Sequence, residues 1–282
     1  NLIIEHAYQL PMILSPLTIY AMPPYNEGIA ISGNYAYVTR MYVQNSTIYS
    51  ALLIIDISNP AAPSLVGNFN IPFPCWIYDV YVSGNYAYIA AGQSGLAVID
   101  ITNPAAPALA GSYDTPGEVL TVYVSGNYAY VSDSQSGLVI IDITNPAAPA
   151  LMGSYDFSVN ARKPVKGIYV SGNYIYVALH DLGLKIIDVS NPQEPVLAGN
   201  YNFLDPVQKV CVRGNYAYVV FRNTGLHILD VSYPFNLIVS PLSEQWRIKL
   251  DVSDTEGNSS QAIRNVWVNT YNRPPIAPQE ID

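Results

Sequence analysis

Three acidic residues could supply the carboxyl groups of a catalytic site: Asp79, Glu118 and Asp133. Glycoside hydrolysis uses two carboxyl groups, one as an acid and the other as a base or nucleophile. His180 and Asp181 are adjacent and could act as a base with its orienting partner. Their spacing matches no catalytic motif, and scattered acids on an acidic protein are usually solvated. The sequence therefore favours a protein that is not an enzyme, with a carbohydrate-active enzyme as the alternative.

A local concentration of basic side chains could bind an anionic partner. It comprises Arg162, Lys163, Lys166, Lys209 and Arg222. Such a group could attract an anionic sugar or an acidic patch of another subunit. It could equally pair with neighbouring acids such as Asp181 and Asp205, since exposed ion pairs are common and weak. Both interpretations stay open at this stage.

Aromatic side chains give a second candidate binding surface. Trp76 and Tyr78 directly precede Asp79, and Tyr42 and Tyr49 lie in an unusually long loop region. Exposed rings beside polar groups suit stacking on sugar rings or anchoring a protein contact. The same rings could instead form the cores of their loops.

The composition limits the partners that the protein can have. Only 12% of the 282 residues are charged, with 21 acidic against 12 basic side chains and a formal net charge of −9. Nucleic acids and anionic membranes require a broad basic surface, so neither is expected as a partner. The longest apolar runs are shorter than the roughly 20 residues that span a bilayer, which predicts no transmembrane helix.

Several weak features favour an extracellular protein. The chain is rich in Asn, Ser, Thr and Tyr and poor in Lys, and Asn45 and Asn258 begin glycosylation sequons. The first residues lack an initiator Met and the pattern of a signal peptide, so we expect a processed or truncated start. Cys211 occupies a strand position and is expected to be a buried thiol, while Cys75 lies in a loop. Free thiols are favoured over a disulfide between them.

The elements that position these residues follow from an internal repeat. The sequence SGNYAYV begins at Ser32, and near-copies begin at Ser83, Ser125, Ser171 and Arg213. Intervals of about 40 to 50 residues indicate a repeat architecture. Each copy places two tyrosines on one face of a strand, where large rings can fill the gap between neighbouring repeats. The repeated heptapeptide is thus a packing pattern rather than an active site.

One repeat predicts one four-stranded antiparallel sheet. In the third copy, alternating residues flank the turn Gly126-Asn127, and GLVIIDI then reads as a strand covered on both faces. Pro146 and Pro149 end that strand before LMGSYD begins the fourth. Such a sheet has two apolar faces, so neighbouring sheets must cover them, and radial packing does this. The expected fold is all-β: a five-bladed β-propeller of four-stranded blades with a small C-terminal β segment.

The third strands resemble those of a known family. They read LLIID, LAVID, LVIID, LKIID and LHILD, and they end at Asp56, Asp100, Asp142, Asp188 and Asp230. These segments resemble the LVIVD repeat, from about Pro24 to Pro234. The resemblance implies a propeller of bacterial and archaeal surface and secreted proteins, with no defined activity for the repeat itself. The repeated Asp is expected to cap the following Ser/Thr-Asn-Pro turn rather than to form a ring of metal ligands.

The predicted domain boundaries leave a separate C-terminal part. Residues 1–236 form the propeller, with blade five closed by the N-terminal strand and an irregular sixth blade in Met12 to Pro24 as a variant. Residues 237–275 resemble part of an immunoglobulin- or cadherin-like surface module, and residues 276–282 are a tail or linker. An apolar stripe in this segment needs a cover, either from the propeller rim or from a neighbouring copy; it consists of Trp246, Ile248, Leu250 and Val252.

These observations lead to one expected function. Loop lengths vary on one face of the propeller, where function is expected, and Asp79 and Lys209 should face each other across the axial channel. We expect a non-enzymatic extracellular scaffold or adhesive protein, such as a surface-layer or filament-type subunit. Its expected partners are other surface proteins, copies of itself, and acidic or neutral glycans, with no cofactor and no metal.

Overall fold

The computed structural model describes residues 26–44, 47–73, 75–157, 165–202, 205–232, 247–253 and 259–265. Several sequence-based predictions concern other residues and lie outside this part of the chain. They are the closure of blade five by the N-terminal strand, the variant sixth blade, the tail at 276–282, and the residues Arg162, Lys163, Asn45, Asn258 and Trp246.

Five sheets follow one another along the chain, and in each of them consecutive strands pair antiparallel. Blades one and two contain β1 (Asn26–Ser32), β2 (Tyr35–Gln44), β3 (Thr47–Asp56), β4 (Ser64–Asn70), β5 (Asp79–Ser83), β6 (Tyr86–Ala90), β7 (Leu96–Asp100) and β8 (Ala108–Tyr113). Blade three contains β9 (Val119–Ser125), β10 (Tyr128–Asp133), β11 (Gly137–Asp142) and β12 (Ala150–Tyr155).

The last two blades differ in their number of described strands. Blade four contains β13 (Val165–Ser171), β14 (Tyr174–Leu179), β15 (Gly183–Asp188) and β16 (Val196–Tyr201), with a short 3-10 helix at His180–Leu182. Blade five contains β17 (Val207–Arg213), β18 (Tyr216–Phe221) and β19 (Gly225–Asp230). The predicted all-β fold, a five-bladed β-propeller, is confirmed.

The C-terminal segment contributes a separate hairpin. Strands β20 (Arg247–Ser253) and β21 (Ser259–Asn265) pair antiparallel, with Ile248 opposite Arg264 and Leu250 opposite Ala262. A two-stranded hairpin is marginal by itself in water, so it is not expected to be stable without further packing.

The Gly-Asn turns explain why the first two strands of each blade form a hairpin. Gly126 has a φ of 58°, which a residue with a Cβ rarely adopts. The carbonyl oxygen of Asn127 accepts a hydrogen bond of 2.9 Å from the backbone N–H of Ile143, directly after the third strand. The same bond recurs in the other four blades. Each turn therefore fixes the end of the third strand as well as the hairpin.

The repeated Asp at the end of the third strand caps the following turn, as predicted. The carboxylate of Asp100 accepts a hydrogen bond of 2.8 Å from the N–H of Thr102. Asn103 then makes a second cap, because its side-chain oxygen accepts a bond of 3.1 Å from the N–H of Ala105. Equivalent Asp caps are present in all five blades. The alternative of a metal-binding ring is not supported, because these carboxylates serve their own turns.

The core lies between the blades. Tyr88, Leu96 and Val98 of blade two pack in one cluster with Val122 and Ile141 of blade three. Corresponding clusters join blades one and two, three and four, and four and five. The second tyrosine of each heptapeptide is buried in blades one to four, which confirms its predicted packing role.

A glycine in the fourth strand lets the next blade approach closely. A Cβ added to Gly111 in blade two would collide with the carbonyl oxygen of Pro146 in the Asn-Pro turn of blade three. Gly67 and Gly153 stand in the same relation to Pro104 and Pro192. The outer edge of these three interfaces is thus a backbone contact that no larger residue permits.

One cysteine prediction is wrong. Both cysteines are free thiols, with Cys75 buried and Cys211 exposed. The tyrosines at the positions that correspond to Cys211 are half-buried because the neighbouring blade's tyrosine packs on them, as Tyr81 does on Tyr123 at 4.8 Å between ring centroids. Cys211 points toward the side of blade five where no described blade follows, so its thiol stays accessible.

The close contact at Gly111 can be tested by adding one methyl group. Gly111→Ala would place a Cβ against Pro146 and 2.9 Å from the carbonyl carbon of Ala147, which forces blades two and three apart. We expect a loss of about 1–3 kcal/mol in the free energy of unfolding, measured with urea. Gly167→Ala is the control, because its Cβ would meet Lys209 at an ordinary 3.9 Å. Equal losses for the two variants would contradict the interpretation.

The Asp caps make stability depend on acidity. Hydrogen bonds from the hydroxyl and then the N–H of Thr102 lower the pKa of Asp100, and the same causes act on Asp142 through Thr144. A folded-state pKa below the unfolded value of about 3.9 stabilises the fold above that pH, and the benefit is lost as the pH falls through the folded value. We expect an Asp100→Asn and Asp142→Asn double variant to melt at a lower temperature than the parent at pH 7.

The difference in melting temperature should shrink below pH 4, where the parent loses the same benefit. Asp114→Asn, at an exposed aspartate outside the capped turns, serves as the control and should show no such convergence. A melting-temperature difference that stays constant from pH 7 to pH 3 would contradict the capping explanation.

Candidate ligand-binding face

Five residues, one from each innermost strand, come together at one end of the propeller axis. Each lies six positions before the Asn of its Gly-Asn turn; they are Gly28, Asp79, Thr121, Gly167 and Lys209. A Cβ on Gly28 would lie 2.8 Å from the Cα of Asp79, and one on Gly167 would lie 4.0 Å from the Cα of Lys209. Residues at this position in consecutive blades are therefore neighbours, as the repeat alignment predicts.

Asp79 is the partly buried acid of this mouth. Burial raises its pKa, and three opposing influences do not cancel that effect: the N–H groups of Val122 and Val80, at 3.2 and 2.9 Å from the carboxylate oxygens, and the charge of Lys209. The charge of Lys209 therefore reaches Asp79, and the arrangement in which the two side chains face each other across the channel stays a prediction. The mouth thus holds an acid that charges less readily than a solvated Asp.

Tyr78 and Glu118 connect the loops of blades two and three. The Tyr78 hydroxyl donates a hydrogen bond of 2.7 Å to Glu118 Oε1. Burial raises the pKa of Tyr78 above its ordinary value, and the bond to Glu118 and the charges of Glu118 and Glu27 add to the effect. The phenol therefore stays protonated at neutral pH and acts as a donor. Trp76 lies two residues before Tyr78 in the sequence, and its side chain is 45% exposed.

Asp133 and Asp205, two other acids singled out in the sequence, have structural roles. The buried Asp133 carboxylate accepts hydrogen bonds from the N–H groups of Gly117, Gln135 and Ser136. Asp205 accepts bonds from the backbone and side chains of Asn223 and Thr224. Burial opposes its charge, but these hydrogen bonds hold the pKa of Asp205 below its ordinary value. Both carboxylates fix loops between blades.

The long loop of blade one continues the hairpin of β2 and β3 beyond the other blades. On it the rings of Tyr42 and Tyr49 stack with centroids 5.0 Å apart, and the Arg40 guanidinium lies 4.6 Å from the centre of the Tyr42 ring. The buried Arg40 Nε has no hydrogen-bond partner among the described residues. Tyr49 is 43% exposed. We call these three residues the stacked ladder.

The sequence analysis missed two residues of this face, Arg40 and Glu27. Arg40 precedes Tyr42 by two positions in one strand, and that spacing places both side chains on the same face. This signal was present in the sequence. Nothing local could reveal Glu27, because its influence on Tyr78 depends on the packing of blade one beside blade two.

The predicted basic group is only partly within the described residues. Lys166, Lys209 and Arg222 are all exposed, on β13, on β17 and directly after β18. Lys166 and Lys209 lie near the axial mouth, because Lys166 precedes Gly167. His180 lies in the short 3-10 helix of blade four. The ring of His227 lies 4.4 Å from that of Phe221, which supports its structural role.

The chain matches the LVIVD repeat in five consecutive units, at residues 25–71, 78–115, 116–157, 164–203 and 206–240. The units coincide with the five sheets and together cover well over half of the sequence. The protein belongs to the LVIVD-repeat family. The resemblance seen in the third strands is confirmed by this match, and the fifth unit extends eight residues beyond the described part of blade five.

Comparison with solved structures adds the fold alone. The LVIVD-repeat protein is similar to the computationally designed Ika8 protein, in a crystal structure described as crystal packing No. 1 in P63. The TM-score is 0.55 with 10% sequence identity, over 80% of each chain. No curated protein sequence matches the chain.

The described residues provide neither a membrane-spanning helix nor a cluster of metal ligands. No helix formed by them is long and apolar enough to cross a bilayer. No cluster of three or more His, Cys, Asp or Glu side chains among them is arranged to hold a metal ion.

The partly buried Asp79 at the axial mouth should destabilise the fold as the pH rises. The pKa of Asp79 in the folded protein is raised, so its contribution to stability falls as the pH rises from about 3.9 through the folded value. We expect Asp79→Asn to melt at a higher temperature than the parent at pH 7 and to lose this advantage at pH 3. This pH dependence is opposite to that of the Asp100→Asn and Asp142→Asn variant.

Differential scanning calorimetry across this pH range measures both trends. An Asp79→Asn variant that is less stable than the parent at pH 7 would show that the carboxylate makes a net favourable contact there, and would contradict the prediction.

Proposed function

We propose that this LVIVD-repeat protein is a non-enzymatic extracellular scaffold or adhesive protein, such as a surface-layer or filament-type subunit. The candidate ligand-binding face would contact other surface proteins, further copies of the chain, or acidic or neutral glycans. No catalytic step and no cofactor is part of this proposal.

The observation that carries the proposal is that most of the acidic side chains singled out in the sequence accept hydrogen bonds from the protein's own backbone. The Asp133 carboxylate accepts three backbone N–H groups and the five repeated Asp residues cap turns. A general acid or base needs a carboxyl oxygen directed at the substrate. Acids occupied by backbone hydrogen bonds instead hold loops in place, which is what a binding surface requires.

The stacked ladder supports a binding role for the same face. A flat tyrosine surface backed by a guanidinium can stack on a sugar ring or anchor a protein side chain. Trp76 and Tyr49 keep roughly half of their surfaces accessible for such contacts.

The C-terminal hairpin supports an assembly role. The hairpin has only two strands, and two strands alone provide no core of their own. Pairing with an edge strand of a neighbouring copy would extend this sheet and join two different surfaces. Such head-to-tail contacts propagate as filaments unless rotation closes a ring.

A glycoside hydrolase or lyase is the rival function. The raised pKa of Asp79 suits a general acid, and Glu118 is held by Tyr78. Incubation with a panel of acidic and neutral polysaccharides separates the two functions. Turnover that is abolished by Asp79→Asn or Glu118→Gln would overturn the scaffold proposal.

Binding without turnover is the expected result, and the aromatic residues provide its test. We expect Tyr49→Ala combined with Trp76→Ala to weaken binding to the retained polysaccharide about tenfold, as measured by calorimetry. Tyr216→Ala is the control, since Tyr216 is similarly exposed but follows the Gly-Asn turn at the opposite end of blade five. Equal effects of the two changes would argue against this face.

A further inference from the structure

The axial mouth carries an acid and a base on different blades. Its five residues, given in order from blade one to blade five, are Gly28, Asp79, Thr121, Gly167 and Lys209. The blades thus carry four different residue types at this one position, although the strands and turns around it repeat. Asp79 and Lys209 are not in consecutive blades, and blades one and four carry glycine. The mouth therefore has an arrangement of its own, which the repeat pattern does not dictate.

The fold requires the glycine of blade one but not the glycine of blade four. A Cβ on Gly28 would lie 2.8 Å from the Cα of Asp79, so no larger residue fits there. A Cβ on Gly167 would meet Lys209 at an ordinary 3.9 Å, and Gly167 does not have the positive φ that favours glycine. The same irregularity of strand pairing precedes this position in blades three, four and five, and Thr121 and Lys209 carry side chains there. Neither packing nor backbone conformation explains Gly167.

A strand glycine without a structural reason suggests space that is kept for something else. Glycine loses more conformational entropy on folding than other residues, so it weakens a strand. In strand interiors it often marks the close approach of a ligand or of another backbone. The backbone of blade five does not approach closely, because the Cα of Lys209 would lie 4.0 Å from a Cβ on Gly167. Gly167 is buried and Lys209 is exposed, so this space lies within the mouth.

Two opposite charges border the space beside Gly167. The Asp79 carboxylate reaches blade three, where it accepts a hydrogen bond of 3.2 Å from the N–H of Val122. The stem of Lys209 lies on the other side, since its Cγ would be the atom 3.9 Å from a Cβ on Gly167. The hydrogen bonds of the carboxylate come from Val122 and Val80, so Lys209 acts on it through its charge. A small molecule with both charges could pair with both groups.

Tyrosine rings lie one level below the mouth. Tyr81, Tyr123 and Tyr169 come two residues after the mouth residues of their strands and therefore share the same strand face. The ring centroids are 4.8 Å apart between Tyr81 and Tyr123 and 5.8 Å apart between Tyr123 and Tyr169. Burial, with the nearby Tyr81 and Tyr169, raises the pKa of Tyr123 to about 12. At this level blades one and five carry the smaller Ala30 and Cys211. An apolar group that enters the mouth thus meets neutral aromatic rings.

We propose that the axial mouth binds a free α-amino acid, whose ammonium group pairs with Asp79, whose carboxylate pairs with Lys209 and whose apolar side chain contacts the tyrosine rings. An α-amino acid carries opposite charges close together, as does the mouth. A plain amine or carboxylate would leave one protein charge without a partner, and so would either end of a peptide. A neutral sugar would leave both charges without one. The site is additional to the scaffold function, which uses Trp76 and Tyr49 for glycan contacts.

The ligand test uses L-phenylalanine and two analogues that each lack one charge. Phenethylamine has no carboxylate and hydrocinnamate has no ammonium group, but both keep the ring. We expect calorimetry on the full chain to show that L-phenylalanine binds at least about tenfold more tightly than either analogue. Glycine has both charges and no side chain, so it should bind more weakly than L-phenylalanine. Equal affinity for L-phenylalanine and any of these three compounds would overturn the proposal, and so would the absence of binding at millimolar concentration.

Gly167→Thr is the decisive variant, because it copies the residue that blade three carries at the same position. Its side chain would fill the space between Asp79 and Lys209. We expect the affinity for L-phenylalanine to fall at least about tenfold, while the melting temperature stays equal or rises, because a β-branched residue replaces a strand glycine. Tight binding in a folded Gly167→Thr variant would overturn the proposal. If this variant does not fold, the two analogues decide on the parent chain.

Charge variants with matched controls test the two ion pairs. Asp79→Asn and Lys209→Gln should each weaken L-phenylalanine binding about tenfold. Asp114→Asn and Lys166→Gln remove the same charges from exposed residues outside the mouth and should leave binding unchanged. Equal losses for Lys209→Gln and Lys166→Gln would indicate attraction by general charge and would overturn the proposal. Polysaccharide binding is measured separately, so this site and the scaffold function can fail independently.

Discussion

The packing of one blade's apolar face on the next is the interaction on which the rest of the structure depends. Each sheet is apolar on both sides, so no blade is stable without neighbours. The second tyrosine of the heptapeptide and the branched residues of the third strand fill the space between blades, as Tyr88 and Val98 do. At the outer edge the close contact between Gly111 and Pro146 sets the separation of the two sheets. The loops that carry binding residues are held by this frame.

Carboxylates show how one side-chain type takes different roles in this frame. Those at the ends of third strands, such as Asp100, are stabilised in the charged form by the turn that they cap. Asp79 experiences the opposite environment, because burial disfavours its charge at the axial mouth. Only a carboxylate such as Asp79, which does not cap a turn, is available to change its charge when a ligand binds. The repeated Asp therefore maintains the scaffold, while the acid that occurs in one blade marks the variable face.

Local patterns predicted most of the fold. The Gly-Asn turns, the alternating strands and the Asp caps are encoded within each repeat, so the five sheets and their strand order followed from the sequence. The exposure of Cys211 did not, because it depends on what lies beside blade five rather than on β17 itself. The influence of Glu27 on Tyr78 likewise comes from the packing of two blades. Properties that arise between repeats are invisible to reasoning within one repeat, so the residues of the candidate ligand-binding face were mostly named from the sequence but their contacts across blades were not.

The meander of each blade has a consequence for how the chain folds. Consecutive strands pair with each other, so nearly all backbone pairing joins residues that are close in sequence. The loops closed by this pairing are short, and closing them therefore costs little conformational entropy. Folding can then begin at any adjacent pair of blades and spread along the chain, as in a linear array. Blades two, three and four gain an interface on each side, whereas blades one and five gain one each from the other repeats. The two outer repeats should therefore be the last to gain protection from hydrogen exchange during folding and the first to lose it.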